Sequence, residues 1–148
     1  MLIIFDLDDT LLDTSGAVTP FKMRECLKLL IEDGAKVNDF EQAYADLMAL
    51  NNISFRSKDA VRSFAEDLGC PNASRALAEL TAPLPADFTI PMTPGAKDVL
   101  TFFFLKYPLV IATGGYPPFQ REKIEKAGLD TSIFSRICAP MINFCSAL

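Results

Sequence analysis

The sequence predicts an α/β protein: a Rossmann-like core built on a parallel sheet, with a helical cap subdomain inserted near its start. Three observations carry this. Residues 2–5 and 108–112 are short, continuous apolar runs that suit strands buried on both faces of a parallel sheet. Each run ends abruptly in polar or small residues, Asp6-Leu7-Asp8-Asp9-Thr10 in the first case and Thr113-Gly114-Gly115 in the second. Between and after them, apolar residues recur at helical spacing.

The elements follow in order. Leu2, Ile3, Ile4 and Phe5 make the first strand. Thr19 caps a helix with Pro20 in its first position, and Gly34 ends it. Asn38 begins a second helix, with Glu41 three residues on and Phe40, Ala43, Tyr44, Leu47 and Met48 along one stripe. Ser57 opens a third, carrying Val61, Phe64, Ala65 and Leu68 and stopped by Gly69. Asn72 starts a short fourth with Ala76, Leu77 and Leu80. Residues 81–94 hold four prolines, which rules out helix and central strand and reads as a linker. Thr93, Pro94 and Gly95 then lead a helix reaching Lys106, in which Phe102, Phe103 and Phe104 are expected to be core. After the strand at 108–112, a helix over about 119–127 closes at Gly128. A weaker strand covers 133–139, with Phe134, Ile137 and Cys138. The expected division is a core of residues 1–14 and 88–148, and a helical cap with linker at 15–87.

Composition narrows the function classes. Half of the 148 residues are hydrophobic, enough for a packed core. The net charge of −5 comes without a basic stripe, which argues against nucleic acid or an anionic membrane as partner. There is no histidine, so Ser-His-Asp and Cys-His catalysis and imidazole bases are excluded. Cys26, Cys70, Cys138 and Cys145 lack C-x-x-C spacing and read as free thiols of a cytoplasmic protein. No apolar run is long enough for a membrane span or a signal peptide. Oligomeric state leaves no mark in the sequence.

The chemistry is expected where the strands end. Ligands of open parallel sheets bind beyond the carboxyl ends of the strands. If the two strong strands are neighbours, Asp6, Asp8, Thr113 and Gly114 converge on one crevice. Of two carboxylates one residue apart, one can attack a phosphorus atom while the other protonates the leaving oxygen and then activates water. An anion attacking a dianion needs a hard cation, and aspartate oxygens suit Mg²⁺. The Thr113 hydroxyl and the N–H groups around Gly114 and Gly115 can cradle phosphoryl oxygens. Asp13 reads as a turn-supporting residue.

The run from Phe5 to Thr14, FDLDDTLLDT, resembles the first motif of the haloacid dehalogenase-like (HAD) superfamily, an apolar strand followed by D-x-D-x-T. Ile111, Ala112, Thr113 and Gly114 resemble its second motif, and the resemblance spans about residues 1–139. It implies a phosphatase with Asp6 as the nucleophile that becomes an aspartyl-phosphate and Asp8 as the general acid and base. Thr113, with Gly114, would bind the phosphoryl group. Mg²⁺ would sit on the Asp6 carboxylate and the Asp8 carbonyl, and a helical cap after the first motif would choose a small phosphorylated substrate that the sequence does not identify. A haloacid dehalogenase is the alternative within the fold, disfavoured because a leaving halide needs no proton from Asp8.

The family's third motif is a lysine and its fourth an acidic pair, both beyond the third strand. This sequence has no lysine after Lys126 and no Asp or Glu after Asp130, and its tail from Pro140 to Leu148 carries no charged side chain. It therefore reads as C-terminally truncated. The expectation is a catalytically weak or inactive chain whose first strand, missing the neighbour it has in the family, offers an apolar edge. Lys123 is the one nearby cation able to stand in for the missing lysine.

Overall fold

The computed structural model describes residues 1–138, so the tail at 140–148 and Cys145 lie outside the described residues. The chain divides into two compact units, Met1–Ala17 with the chain from Pro83 onward, and Val18–Ala82.

The first unit holds the sheet. Strands β1 (Ile3–Phe5), β2 (Leu109–Ala112) and β3 (Phe134–Cys138) lie in the order β1-β2-β3, and both pairs are parallel. β1 is therefore an edge among the described residues, with Leu2 and Ile4 exposed. Leu109, Val110 and Ile111 are buried, as the continuous apolar run requires. Helices α5 (Ala96–Phe104) and α6 (Pro117–Lys126) flank the strands in sequence, in the alternation of a parallel α/β sheet.

α5 departs from expectation in two ways. It ends at Phe104 rather than Lys106, and its aromatic run is not core: Phe102 is 58% exposed and Phe104 is exposed too. Helical period gives the reason for Phe102. The inward face is set by Ala96 and Leu100, and two residues beyond Leu100 a side chain has turned to the far side. α6 begins at Pro117 rather than near residue 119, because the fixed φ of proline suits the first helical turn.

The second unit contains four helices, α1 (Thr19–Glu32), α2 (Phe40–Ile53), α3 (Ser57–Asp67) and α4 (Ser74–Glu79). Two cap assignments shift. A single π-helical turn, Thr14–Val18, runs straight into α1, so Val18 and not Thr19 holds the N-cap position with helical dihedrals. For α2 the cap is Asp39 rather than Asn38, its carboxylate accepting the N–H groups of Glu41 and Gln42 at 3.0 and 3.1 Å. The stripes predicted for the second and third helices meet the apolar face of α1 in one core built on Met23, Leu27, Leu30, Leu47, Val61 and Phe64.

Inside that unit Lys22 is only 2% exposed, and its ammonium donates to Glu79 Oε1 and to the Ala82 carbonyl, both at 2.7 Å. Removing one partner of a buried pair leaves a charge with too little compensation, so Glu79→Ala should lower unfolding free energy by about 3 kcal/mol. Urea denaturation checks it; a loss as small as that of an exposed pair would show that water already solvates Lys22. The neighbouring Cys26 is an inert core residue: burial pushes its thiol up to about 12, and its Sγ sits 3.1 Å from the Ala76 carbonyl.

Candidate active site

The site is assembled from three short pieces of the first unit. The first is the turn after β1. Leu7, Leu11 and Leu12 are fully buried, so the apolar positions of the run anchor it while its polar positions face outward. The turn is tight: the N–H groups of Leu11 and Leu12 both donate to the Leu7 carbonyl at 3.0 Å, and Asp9 N–H donates to Leu12 O at 2.7 Å. Asp9 accordingly takes a left-handed φ of +57°, a strained value that its side chain supports by accepting the N–H and hydroxyl of Ser15 at 2.7 and 2.6 Å. Asp13 serves the turn as well, accepting Gly16 N–H at 2.8 Å. A Cβ on Gly16 would fall 2.3 Å from that carboxylate, so any larger residue would push the Asp13 side chain out of this bond.

The strand register aligns the second piece with the first. Phe5 pairs with Ile111, so Asp6 is level with Ala112 and leaves the sheet at the same end as Thr113. Asp6 is exposed, and its carboxylate has no hydrogen-bond partner among the described residues. Thr113 is 4% exposed and is fixed through its main-chain N–H, which donates to Cys138 O at 2.9 Å.

The third piece is the face of α6 carrying Gln120 and Lys123, one helical turn apart and each 4% exposed. Lys123 Nζ forms a short ion pair with Asp8 Oδ1, and the Thr14 hydroxyl donates to the same oxygen at 2.6 Å. Gln120 Nε2 donates to Asp8 Oδ2 at 3.0 Å and to Thr113 Oγ1 at 3.0 Å, and also contacts the Gly114 carbonyl. Asp8 and Thr113 are thus joined through one amide.

Burial alone would raise the pKa of Asp8, but the charge of Lys123 and the hydrogen bonds from Lys123, Thr14 and Gln120 outweigh it and hold the carboxyl below its usual value. The carboxylate is therefore ionised at neutral pH. Its contribution to stability is present above the ordinary carboxyl value and is lost as pH falls through the depressed one.

Of the residues expected at the site, Asp8 and Thr113 are brought together, and Asp6 leaves the sheet at the same end. Gly114 takes part through its carbonyl, which faces the Gln120 amide. Gln120 and Thr14 received no role from the sequence. Thr14 lies inside the motif-like run, and Gln120 shares a helix face with Lys123 at i, i+3, which is the signal that points to it. For Mg²⁺, the Asp6 carboxylate and the Asp8 carbonyl are hard oxygens of the right kind. Among the described residues no group of three His, Cys, Asp or Glu side chains gathers for a metal.

A family model described as haloacid dehalogenase-like hydrolase matches residues 1–143. No curated protein matches this sequence. Similar solved structures include the magnesium-bound YfnB from Bacillus subtilis, at 19% identity and TM-score 0.56, aligned over 93% of this chain and 62% of that one. A candidate β-phosphoglucomutase from Thermotoga maritima shares 16% identity at TM-score 0.59, over 93% and 60%. The L-2-haloacid dehalogenase from Xanthobacter autotrophicus shares 15% at TM-score 0.50, over 93% and 56%. At these identities the likeness is one of fold, and the chain spans less than two thirds of each.

Proposed function

Because the chain belongs to the haloacid dehalogenase-like hydrolases, we propose that its site is that of a Mg²⁺-dependent phosphomonoester hydrolase acting on a small phosphorylated substrate. The observation that carries this reading is the Lys123–Asp8–Gln120–Thr113 chain of contacts, with Asp6 leaving the sheet at the same end.

In this reading the exposed Asp6 carboxylate attacks the phosphorus atom and the ester oxygen departs, giving an aspartyl-phosphate. Asp8, ionised at rest, takes up a proton from solvent once the substrate is bound, hands it to the departing oxygen, and then takes one from the water that hydrolyses the intermediate. The Thr113 hydroxyl donates to a phosphoryl oxygen. Lys123 supplies the cation: without substrate its charge is spent on Asp8, and an arriving phosphoryl dianion competes for it. Drawing Lys123 toward the substrate removes the strongest stabiliser of ionised Asp8 and eases its protonation. A magnesium ion held by the Asp6 carboxylate and the Asp8 carbonyl would neutralise charge on the transferring group.

A dehalogenase needs no proton donor for the leaving halide, so the contacts that hold Asp8 beside Thr113 favour phosphate esters. The test is release of phosphate from an aryl phosphate with Mg²⁺, run beside halide release from a 2-haloacid. Phosphate release, and not halide release, is expected. Removal of Mg²⁺ should abolish it. Halide release without phosphate release would overturn the reading.

A further inference from the structure

Gln120 is buried at 4% exposure, and its amide is oriented by what it faces. Its Nε2 meets Asp8 Oδ2 at 3.0 Å, Thr113 Oγ1 at 3.0 Å and the Gly114 carbonyl. Two of these cannot donate, so turning the amide over would set oxygen against oxygen. Its Oε1, by contrast, is buried with no partner among the described residues. A buried acceptor left unsatisfied is a cost that ordinary packing avoids, and a leucine or methionine would fill the space without it. The backbone accommodates the same amide. Gly115 has φ +110°, and a Cβ there would lie 3.1 Å from Gln120 Nε2.

The bonds have a directional consequence. Thr113 Oγ1 accepts from Gln120, so its own hydrogen must point elsewhere. The one acceptor it reaches among the described residues is Gly114 O, at a long 3.4 Å. That hydrogen is weakly engaged. Asp8 Oδ1 already takes Lys123 and Thr14, and Gln120 takes one position on Oδ2.

We infer that Gln120 is a positioning residue: its amide ties Asp8 to Thr113 as one unit and turns the Thr113 hydroxyl hydrogen outward, ready for a phosphoryl oxygen. The kinetic part of this inference rests on the phosphatase reading; the geometric part does not.

The experiment is a double-mutant cycle of Gln120→Met and Thr113→Val. Aryl phosphate turnover and binding of inorganic phosphate with Mg²⁺ are the solution readouts, and crystal structures of the wild type and the Gln120→Met chain accompany them. Each single variant should lose about 10² in kcat/KM and weaken phosphate binding. The double variant should fall within about twofold of the worse single one, because Gln120 acts through Thr113. In the Gln120→Met crystal the Asp8 carboxylate and the Thr113 hydroxyl should take new rotamers. Losses that multiply would overturn the coupling, and unmoved Asp8 and Thr113 side chains would overturn the positioning. A wild-type chain that neither turns over the ester nor binds phosphate would sink the phosphatase reading, while the crystal comparison still decides on Gln120. Should Gln120→Met fail to fold, Gln120→Glu keeps the shape and removes the donors. The same losses and movements are expected of it, and wild-type behaviour would overturn the inference.

Discussion

Replacing Lys123 by methionine is expected to lower aryl phosphate turnover by about 10²–10³, the usual effect of losing one preorganised charge in a water-poor site. The substitution keeps the length of the stem, which packs in the interior, and removes only the ammonium that pairs with Asp8. The sign of a second effect follows from the shift on Asp8. With Lys123 present, the Asp8 carboxyl is held below its usual value, so acid titrates a stabilising interaction away. In Lys123→Met burial acts against fewer opposing interactions, and the carboxyl rises. Stability of the wild type should therefore fall as pH drops below the ordinary carboxyl value, and the variant should show less of that acid-dependent loss. Urea midpoints across the acid range measure it. Equal slopes in the two chains, with unchanged turnover, would remove Lys123 from the site.

The second large effect is on Asp8 itself. Asp8→Asn should reduce kcat for an alkyl phosphate by about 10²–10⁴, the contribution of a positioned acid or base. An aryl phosphate with a good leaving group needs no proton at the first step, so its loss there should be small. The intermediate formed from it still requires a base for hydrolysis. The variant should thus release the aryl alcohol once per chain and then stall. Equal losses on alkyl and aryl esters, without a burst, would indicate that Asp8 holds structure rather than protons.

The sheet was legible because its strands are continuous apolar runs: residues 2–5 and 108–112 contain β1 and β2, and their polar ends lie where the site is built. The second and third helices, α2 and α3, were legible through their stripes, since Leu47, Val61 and Phe64 are all core. Caps were read less well. Asp39 rather than Asn38 caps α2 because the register of the first turn decides which side chain reaches the free N–H groups, and neighbouring Asn and Asp look alike in sequence. The Phe102–Phe104 run was misread because apolar character was taken for burial, whereas helical period turns Phe102 outward. At the site, Asp6, Asp8 and Thr113 stood out by their place at strand ends. Gln120 did not, because a glutamine on a helix is most often solvated, and only the fold sets it against two acceptors at once. Lys123 was visible as a charge, but its partner lies 115 residues away in the chain, a pairing that spacing alone cannot supply.

In the proposed reaction Asp6 carries the phosphoryl group. The most direct test uses the Asp8→Asn chain, in which hydrolysis of the intermediate is slowed. It is mixed with an aryl phosphate and Mg²⁺, quenched in acid, digested and examined by mass spectrometry. One phosphoryl group is expected on the peptide that contains Asp6, present at up to one per chain and absent from a chain that also carries Asp6→Asn. Release of aryl alcohol with no phosphoryl group on that peptide, or an undiminished adduct in the chain lacking Asp6, would contradict it.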